Sequence, residues 1–443
     1  MVQKEFGMRK IKILNLAFTD MGGAGKASLI FNEMFNNEGY DSRLLVKESN
    51  VENNNVIIFA KKKDNVFVKF ISKQKGRIKY VLNRYFIFKD KYFFFKLNDN
   101  LSEISTKEIL NAVPFVPDVI FLHWITGFVN SKMINELAAI TKAKIFWIMM
   151  DNAPLTGGCH YPWDCEGFHS SCSNCPAIKL SFLKSKAEAN LATKKLNIPL
   201  NLELITCSIM DFNRAKNAAV FKSNTIHKIL FPIDEKKFSV ADRDYAKQYF
   251  SIPSDKKLIF YGASNINNTR KGIKYFLEGI RILQNIFLEK GIHLDNYAIL
   301  IAGNVTTNLF SNIEIPIYHH SLLNEEKLIN AYQASSVFLS TSVEDSGPLM
   351  VNQAVMCGTP VVAFNVGVAV DLINSGITGY LSELYDSHSL AQNLFRILTM
   401  DNEMEMEMSK QCREMAIRTF SYKAAISNYN DLINQSVKDK IIY

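Results

Sequence analysis

The chain has 443 residues, a length that suits two domains of about 200 residues each. Hydrophobic residues make up 48% of it and charged residues 21%, which are values of a soluble globular protein. The formal charge of +8 excludes a strongly acidic protein and does not by itself indicate nucleic-acid binding.

The first residues lack the pattern of a secretory signal. Met1–Asn15 is a short polar lead that runs into a strand-like stretch, without an apolar h-region or a small-residue cleavage site. The longest apolar stretch, Val119–Val129, is too short to span a bilayer, which needs about 20 apolar residues. We therefore expect a cytoplasmic protein, with the inner face of the cell membrane as an alternative location.

Strands and helices alternate along the chain, which is typical of parallel α/β layers. The first series predicts a strand at Ile11–Leu16, a glycine-rich turn at Asp20–Ala27, a helix at Ser28–Asn37, and strands at Ser42–Val46, Val119–His123 and Ile145–Met149. Polar residues follow the last two strands.

A second series begins after Pro232-Ile233-Asp234. It predicts strands at Leu258–Gly262, Tyr297–Gly303, Val337–Ser340 and Thr359–Phe364, helices at Lys271–Leu288, Asn324–Gln333 and Pro348–Cys357, and a helical stretch at Asp401–Val437. Two such series predict two Rossmann-like domains. Ligands of such sheets bind at the carboxyl ends of the strands, so two facing domains would share a site in the cleft between them.

The segment Ser340–Phe364 has the strongest functional signal. A strand ends at Ser340, a polar loop follows, and Gly347 and Pro348 favour the start of a helix. Free N–H groups and the positive end of the helix dipole would then lie at the sheet edge, where they can bind a diphosphate. Asp345 could accept hydrogen bonds from sugar hydroxyls, and Gln353 could pair with a ribose. An α/β protein with an ordinary polar loop is the alternative on these grounds alone.

This segment resembles the donor-binding motif of the retaining glycosyltransferases of family 4, in which an acidic residue precedes a glutamate and a Cys-Gly-Thr-Pro-Val-Val strand. Further matches occur at Phe231–Asp234, Lys271-Gly272 and Gly376–Tyr380. The resemblance implies the GT-B fold, with two Rossmann-like domains facing across a cleft. It places an acceptor domain at residues 1–230, joined by a returning helix at 420–443, and a donor-nucleotide domain at 231–419. In the first domain, His123-Trp124 and the stretch from Asp151 to Tyr161 look like the branch that builds extracellular polysaccharide, as in colanic-acid-type transferases.

The chain departs from the family pattern at three positions. Gln353 stands where the motif has its second glutamate, when Asp345 is aligned with the first acidic residue. If the motif is aligned one position earlier, from Glu344 to Asn352, a second carboxylate is also lacking. Met150 stands where much of the family has a histidine thought to contact the transferred sugar, and Ala263 where an arginine is common. These changes motivate the alternative of a degenerate GT-B protein that binds nucleotide sugars without turnover.

The resemblance implies a role for several further residues. Lys271 and Arg270 would neutralise the diphosphate leaving group, assisted by the helix start at Ser346-Gly347. Gly22 and Gly23 would allow close approach of the backbone to donor or acceptor, and a tight strand–helix connection is their alternative. Asp151 would orient the acceptor or the sugar. The reaction would be retaining, by front-face attack, without a metal or other required cofactor.

Four cysteines form a cluster, Cys159, Cys165, Cys172 and Cys175. Four thiolates can close a tetrahedral zinc site, and a loop of reduced or redox-sensitive thiols is the alternative. The segment Lys61–Lys96 interleaves basic and aromatic residues. It suits either an anionic membrane surface or a packed helix pair with a solvated basic face, and nucleic acid is a poorer fit.

Together these features predict a hexosyltransferase of cell-surface polysaccharide biosynthesis. Its partners would be a nucleoside-diphosphate sugar as donor and a glycan or lipid-linked sugar as acceptor, with no nucleic acid.

Overall fold

The computed structural model describes residues 9–49, 53–59, 86–99, 101–102, 104–304, 309–321, 323–347 and 349–442. The chain separates into two compact units. The first unit comprises Met1–Cys207, Asp211–Ile229 and Ile426–Tyr443, and the second comprises Ser208–Met210 and Leu230–Ala425.

A parallel sheet forms the centre of the first unit. Its strands are β1 (Lys12–Thr19), β2 (Asp41–Glu48), β3 (Val56–Ile58), β4 (Val119–Leu122), β5 (Lys144–Ile148), β6 (Glu203–Thr206) and β7 (Ile226–Lys228). They pair in the order β3-β2-β1-β4-β5-β6-β7, with parallel neighbours throughout. The strand order reverses between β1 and β4, which is where such sheets open a crevice at the carboxyl ends of their strands.

Helices accompany this sheet in sequence. They are α1 (Gly22–Asn37), α2 (Thr106–Asn111), α3 (Ser131–Thr141), α4 (Ser185–Asn197) and α5 (Ile209–Asn217). The C-terminal helix α13 (Tyr422–Ile442) belongs to this unit from Ile426 onward. Its Tyr429 is fully buried against Phe31 and Phe35 of α1, with ring centroids 5.3 and 5.8 Å away. Aromatic packing therefore holds the end of the chain on this unit.

The second unit contains a second parallel sheet. Its strands are β8 (Lys257–Asn265), β9 (Tyr297–Asn304), β10 (Ile317–His320), β11 (Val337–Ser340), β12 (Val361–Phe364) and β13 (Gly379–Ser382), in the order β10-β9-β8-β11-β12-β13. The order reverses between β8 and β11. The helices are α6 (Arg243–Gln248), α7 (Ile273–Glu289), α8 (Glu325–Ala334), α9 (Leu349–Met356), α10 (Ala369–Leu372), α11 (Ser387–Leu398) and α12 (Asn402–Phe420).

The structure confirms the predicted strands, each within a few residues of its expected ends. They were recognisable because strands buried on both faces of a parallel sheet are continuous apolar runs, as in Val119–Leu122. In the part of the chain that the structure describes, no helix is long and apolar enough to cross a membrane.

Three predicted elements were wrong in detail. Gly22–Ala27 is the first part of helix α1 and not a turn, because the glycines follow a strand end and a helix can start on them. Helix α7 starts at Ile273, since the left-handed Gly272 separates it from a short 3-10 turn at Thr269–Lys271. The helical C-terminal stretch is two helices, α12 and α13, interrupted at Ser421.

Candidate functional site

Two loops meet at the point in the second sheet where the strand order reverses. The first follows β8, and its 3-10 turn begins at Asn268, whose side chain accepts a hydrogen bond from the Arg270 amide at 3.2 Å. The second follows β11. The Thr341 hydroxyl donates to the Lys271 carbonyl at 2.9 Å, and the Val343 amide donates to the Arg270 carbonyl at 2.8 Å. These bonds fix the backbone of the two basic residues against the predicted donor-binding loop.

A buried ion cluster joins the side chains of these loops. Lys271 Nζ lies 2.5 Å and Arg270 Nη1 lies 2.7 Å from the same oxygen, Oδ2 of Asp345. The Gly347 amide points to the other oxygen, Oδ1, at 3.4 Å. The structure thus brings Asp345 together with Arg270 and Lys271, which lie 75 and 74 positions before it in the sequence.

Electrostatics in this cluster favour a charged carboxylate. Burial alone would raise the pKa of Asp345, but the charges of Lys271 and Arg270 hold it well below its usual range. Burial lowers the pKa of Lys271, the charge of Asp345 opposes that shift, and the charge of Arg270 adds to it. The cluster therefore combines two cations and one anion in a place that suits an anionic ligand.

Helix α9 begins next to this cluster. Ser346 and Gly347 precede its first residue, Leu349, whereas Pro348 lies outside the described residues. Gln353, in the second turn, is buried, and its Oε1 accepts a hydrogen bond from the Tyr332 hydroxyl at 3.1 Å. The neighbouring Asn352 is also buried, and its Nδ2 has no hydrogen-bond partner among the described residues. Ribose contact by Gln353 stays a prediction.

In the first unit, Asp151 follows β5 and is the centre of a buried polar group. Its Oδ2 lies 2.6 Å from His160 Nδ1 and accepts a hydrogen bond from Trp124 Nε1 at 2.7 Å, while Oδ1 accepts one from the Ala153 amide at 2.8 Å. Burial would raise the pKa of Asp151, but His160, the Ala153 amide and Trp124 together hold it below its ordinary value. The carboxylate is therefore held ionised.

His160 was missed as a functional candidate. Its ring is buried beside Phe93 and Trp124, with centroids 5.1 and 5.6 Å away, and its Nε2 has no hydrogen-bond partner among the described residues. The sequence offered only a histidine nine positions after Asp151, and that spacing does not by itself indicate a pair.

The glycines after β1 differ in how closely the rest of the described chain approaches them. A Cβ at Gly22 or Gly23 would meet nothing within 4 Å, so neither packs closely against another part of the described chain. At Gly25 a Cβ would lie 2.4 Å from the backbone carbon of Asp20. Gly25 is therefore the residue that the strand–helix connection requires, whereas ligand approach at Gly22 and Gly23 stays a prediction.

The structure does not support the predicted zinc site. All four cysteines are free and line one small cavity, but no group of three or more His, Cys, Asp or Glu in the described ranges is placed to hold a metal ion. Burial raises the pKa of Cys172 to about 11, and it raises that of Cys159 further. Thiols lining a cavity, three of them buried, explain the cluster better than a metal centre does.

The basic and aromatic segment Lys61–Lys96 lies partly outside the described residues, which include only its positions 86–96. Within these, Phe88, Tyr92 and Phe94 belong to the core of the first unit. Phe86 and Phe93 are exposed, by 67% and 44%. A membrane contact stays a prediction for this segment.

Comparison with known proteins points to one family. Residues 242–416 match the family model of glycosyl transferases group 1. N-acetyl-alpha-D-glucosaminyl L-malate synthase of Bacillus anthracis is 24% identical over 212 residues, which are 47% of this chain and 53% of that protein. The UDP-Gal:alpha-D-GlcNAc-diphosphoundecaprenol alpha-1,3-galactosyltransferase of Escherichia coli is 29% identical over 111 residues, 25% of this chain and 28% of that protein.

The chain thus matches about half the length of the first of these relatives and a smaller share of the second. The fold is similar to that of Anabaena Alr3699/HepE, crystallised in complex with UDP-glucose. The two structures superpose with a TM-score of 0.59 at 12% identity, over 97% of this chain and 100% of the other. Most of the second unit thus matches the glycosyl transferases group 1 family model, and the two parallel Rossmann-like sheets are those of the GT-B fold.

Proposed function

We propose that this protein is a retaining glycosyltransferase that moves a hexose-type sugar from a nucleoside-diphosphate sugar to a sugar hydroxyl of a lipid-linked glycan, in cell-surface polysaccharide biosynthesis. The observation that supports it most is the buried pair Arg270 and Lys271 at the switch point of a sheet within the matched group 1 region. Two fixed cations beside a helix start are suited to a diphosphate.

The chemistry of this site follows from its charges. Cleavage of the sugar–phosphate bond leaves negative charge on the diphosphate, and Lys271, Arg270 and the start of helix α9 would stabilise that charge. The leaving phosphate can take the proton of the attacking hydroxyl, so this mechanism needs no protein nucleophile. Asp345 would then hold the sugar, and Asp151 in the first unit would orient the acceptor.

The names of the relatives support the finer parts of the proposal. The Escherichia coli relative is named for transfer to a diphosphoundecaprenol-linked sugar, and the Anabaena structure contains UDP-glucose. Exposed Phe86 and Phe93 are suited to contact with the membrane that would hold such an acceptor. The inner face of the cell membrane is the location that this proposal requires.

A first experiment tests donor binding. The melting temperature is measured with UDP-glucose, UDP-galactose, UDP-N-acetylglucosamine and GDP-mannose, because a ligand that binds only the folded state stabilises it. Lys271→Gln should abolish the shift given by the best donor. Lys274→Gln removes an exposed lysine three positions away and should preserve it. Equal shifts in the two variants would contradict the assigned role of Lys271.

A second experiment tests transfer. The best donor is incubated with undecaprenyl-diphosphate-linked sugars, and the anomeric configuration of the product is read by NMR. We expect a product with the configuration of the donor. Inversion would refute the retaining mechanism.

A nucleotide-sugar binder without turnover is the second candidate. It is favoured by Gln353, which replaces a carboxylate and whose carbonyl oxygen is engaged by Tyr332. Binding without transfer or hydrolysis of any donor would support it. A gain of turnover in Gln353→Glu would locate the defect at this position.

A further inference from the structure

Asp345 forms ion pairs with the two cationic side chains that the proposed donor would need. Both Lys271 Nζ and Arg270 Nη1 contact its Oδ2, at 2.5 and 2.7 Å. The three side chains are largely buried, with exposures of 21%, 15% and 9% for the lysine, the arginine and the aspartate. The carboxylate is thus the counter-ion of both basic groups.

A diphosphate that binds these cations has to share them with that carboxylate. The carboxylate stays close to the phosphates, and like charges within a few ångströms repel strongly where water is scarce. The repulsion depends on the charge of the ligand. In a nucleoside-diphosphate sugar the terminal phosphate is esterified, whereas in the free nucleoside diphosphate it gains a further ionisation near pH 6, as phosphate monoesters do.

We propose that Asp345 is a specificity-determining counter-ion, which weakens binding of the free nucleoside diphosphate more than binding of the intact donor. The inference rests on the proposed function, because it assumes that the diphosphate binds at Arg270 and Lys271. It assigns Asp345 a task beyond holding the sugar. By penalising the more negative species, the carboxylate favours release of the product after transfer.

The test measures affinities of Asp345→Asn by calorimetry. The ligands are four pairs: UDP with UDP-glucose, GDP with GDP-mannose, ADP with ADP-glucose and dTDP with dTDP-glucose, and the pair that binds the wild type is used. Removal of a charge near the phosphates should tighten binding of the free diphosphate about tenfold. This is the effect expected of a neighbouring charge that shifts a pKa by about one unit. The sugar nucleotide should gain less, because it has a smaller charge and loses a sugar contact.

Two outcomes would overturn the inference. The free diphosphate could bind Asp345→Asn as well as or less well than it binds the wild type, which would mean that the carboxylate only positions the two cations. The sugar nucleotide could gain as much as the free diphosphate, which would remove the discrimination. If no pair binds the wild type, the proposed nucleotide-sugar binding is itself refuted, and the inference about Asp345 is refuted together with it.

Two further variants separate charge from structure. Asp345→Glu keeps the negative charge and should retain weak binding of the free diphosphate. In the double variant Asp345→Asn with Lys271→Gln, most of the gain should vanish, because one of the released cations is gone. Tighter binding cannot result from loss of folding, and a melting curve of each variant establishes that it is folded.

Discussion

Single buried side chains set the charge states in this protein. His123 follows β4, is fully buried, and lies with Nε2 3.0 Å from Asn15 Oδ1. Burial lowers the pKa of His123 to about 3, because the apolar surroundings disfavour the charged ring. The imidazole is therefore neutral in the folded state at any pH near neutrality.

This burial predicts a loss of stability in mild acid. In the unfolded chain His123 takes up a proton below about pH 6.5, whereas the folded protein does not until about pH 3, so stability falls as the pH drops through this window. Between pH 7.5 and 5.5 we expect the free energy of unfolding of the first unit to fall by about 1.4 kcal/mol more in the wild type than in His123→Gln. Urea titrations at both pH values measure the difference, and equal losses would contradict the prediction.

The pair Asp151 and His160 predicts a difference between two similar substitutions. Asparagine at position 160 can place an amide near the position of Nδ1, the atom that faces Asp151, whereas glutamine places its amide near Nε2. His160→Gln should be less stable than His160→Asn by about 1–3 kcal/mol, because the buried carboxylate loses a partner. Urea unfolding compares the two. The reverse order would mean that the Nε2 side of the ring contributes more than the carboxylate contact.

Connections between elements position the donor loop. Gly272 separates the 3-10 turn from helix α7 at a φ of 68°, and a Cβ there would lie 1.9 Å from the Thr341 carbonyl oxygen. Gly291, just after α7, has the same φ of 68° but nothing within 4 Å of a Cβ. The two glycines share a backbone conformation and differ in their surroundings.

These glycines give a matched pair of substitutions. Gly291→Ala should cost about 1 kcal/mol for the left-handed backbone alone. Gly272→Ala should cost about 3 kcal/mol or more, because the overlap with Thr341 adds to the same backbone term. Denaturant unfolding of the second unit measures both. Equal costs for the two variants would contradict the role of the Thr341 contact. We also expect Gly272→Ala to lose nucleotide binding, because the added methyl group pushes the loop of Arg270 and Lys271 away from the loop of Asp345.

The chain forms two compact units with one parallel sheet each, and the proposed nucleotide contacts lie in the second unit. Bound nucleotide sugar should therefore slow amide exchange around Arg270–Gly272 and Thr341–Gly347, and leave exchange in strands β5 and β6 unchanged within error. Hydrogen-exchange mass spectrometry with and without the best donor measures this. Protection confined to the first unit would refute the assignment of the donor site.

The architecture and the positions of the loops follow from local patterns in the sequence. Apolar runs such as Val119–Leu122 and Val361–Phe364 identify buried parallel strands, because both faces of each strand are covered. The motif around Asp345 predicted a loop between a strand and a helix start because it is local, with the strand, the loop and the helix start contiguous in the chain. Helix α1 was mistaken in its first turns because glycines suit both a turn and a helix start.

Which side chains meet depends on the three-dimensional path of the backbone. Asp345 reaches Lys271 and Arg270 across 74 and 75 positions, and Asp151 reaches His160 in a loop without regular structure. Neither pairing has a periodic signal, because hydrogen bonds and ion pairs across loops depend on the path of the backbone. The same holds for the four cysteines, whose spacing suggested a metal site that their placement does not form. Local pattern thus specified the sheets and their loops, and three-dimensional placement specified which charges and hydrogen-bonding atoms meet.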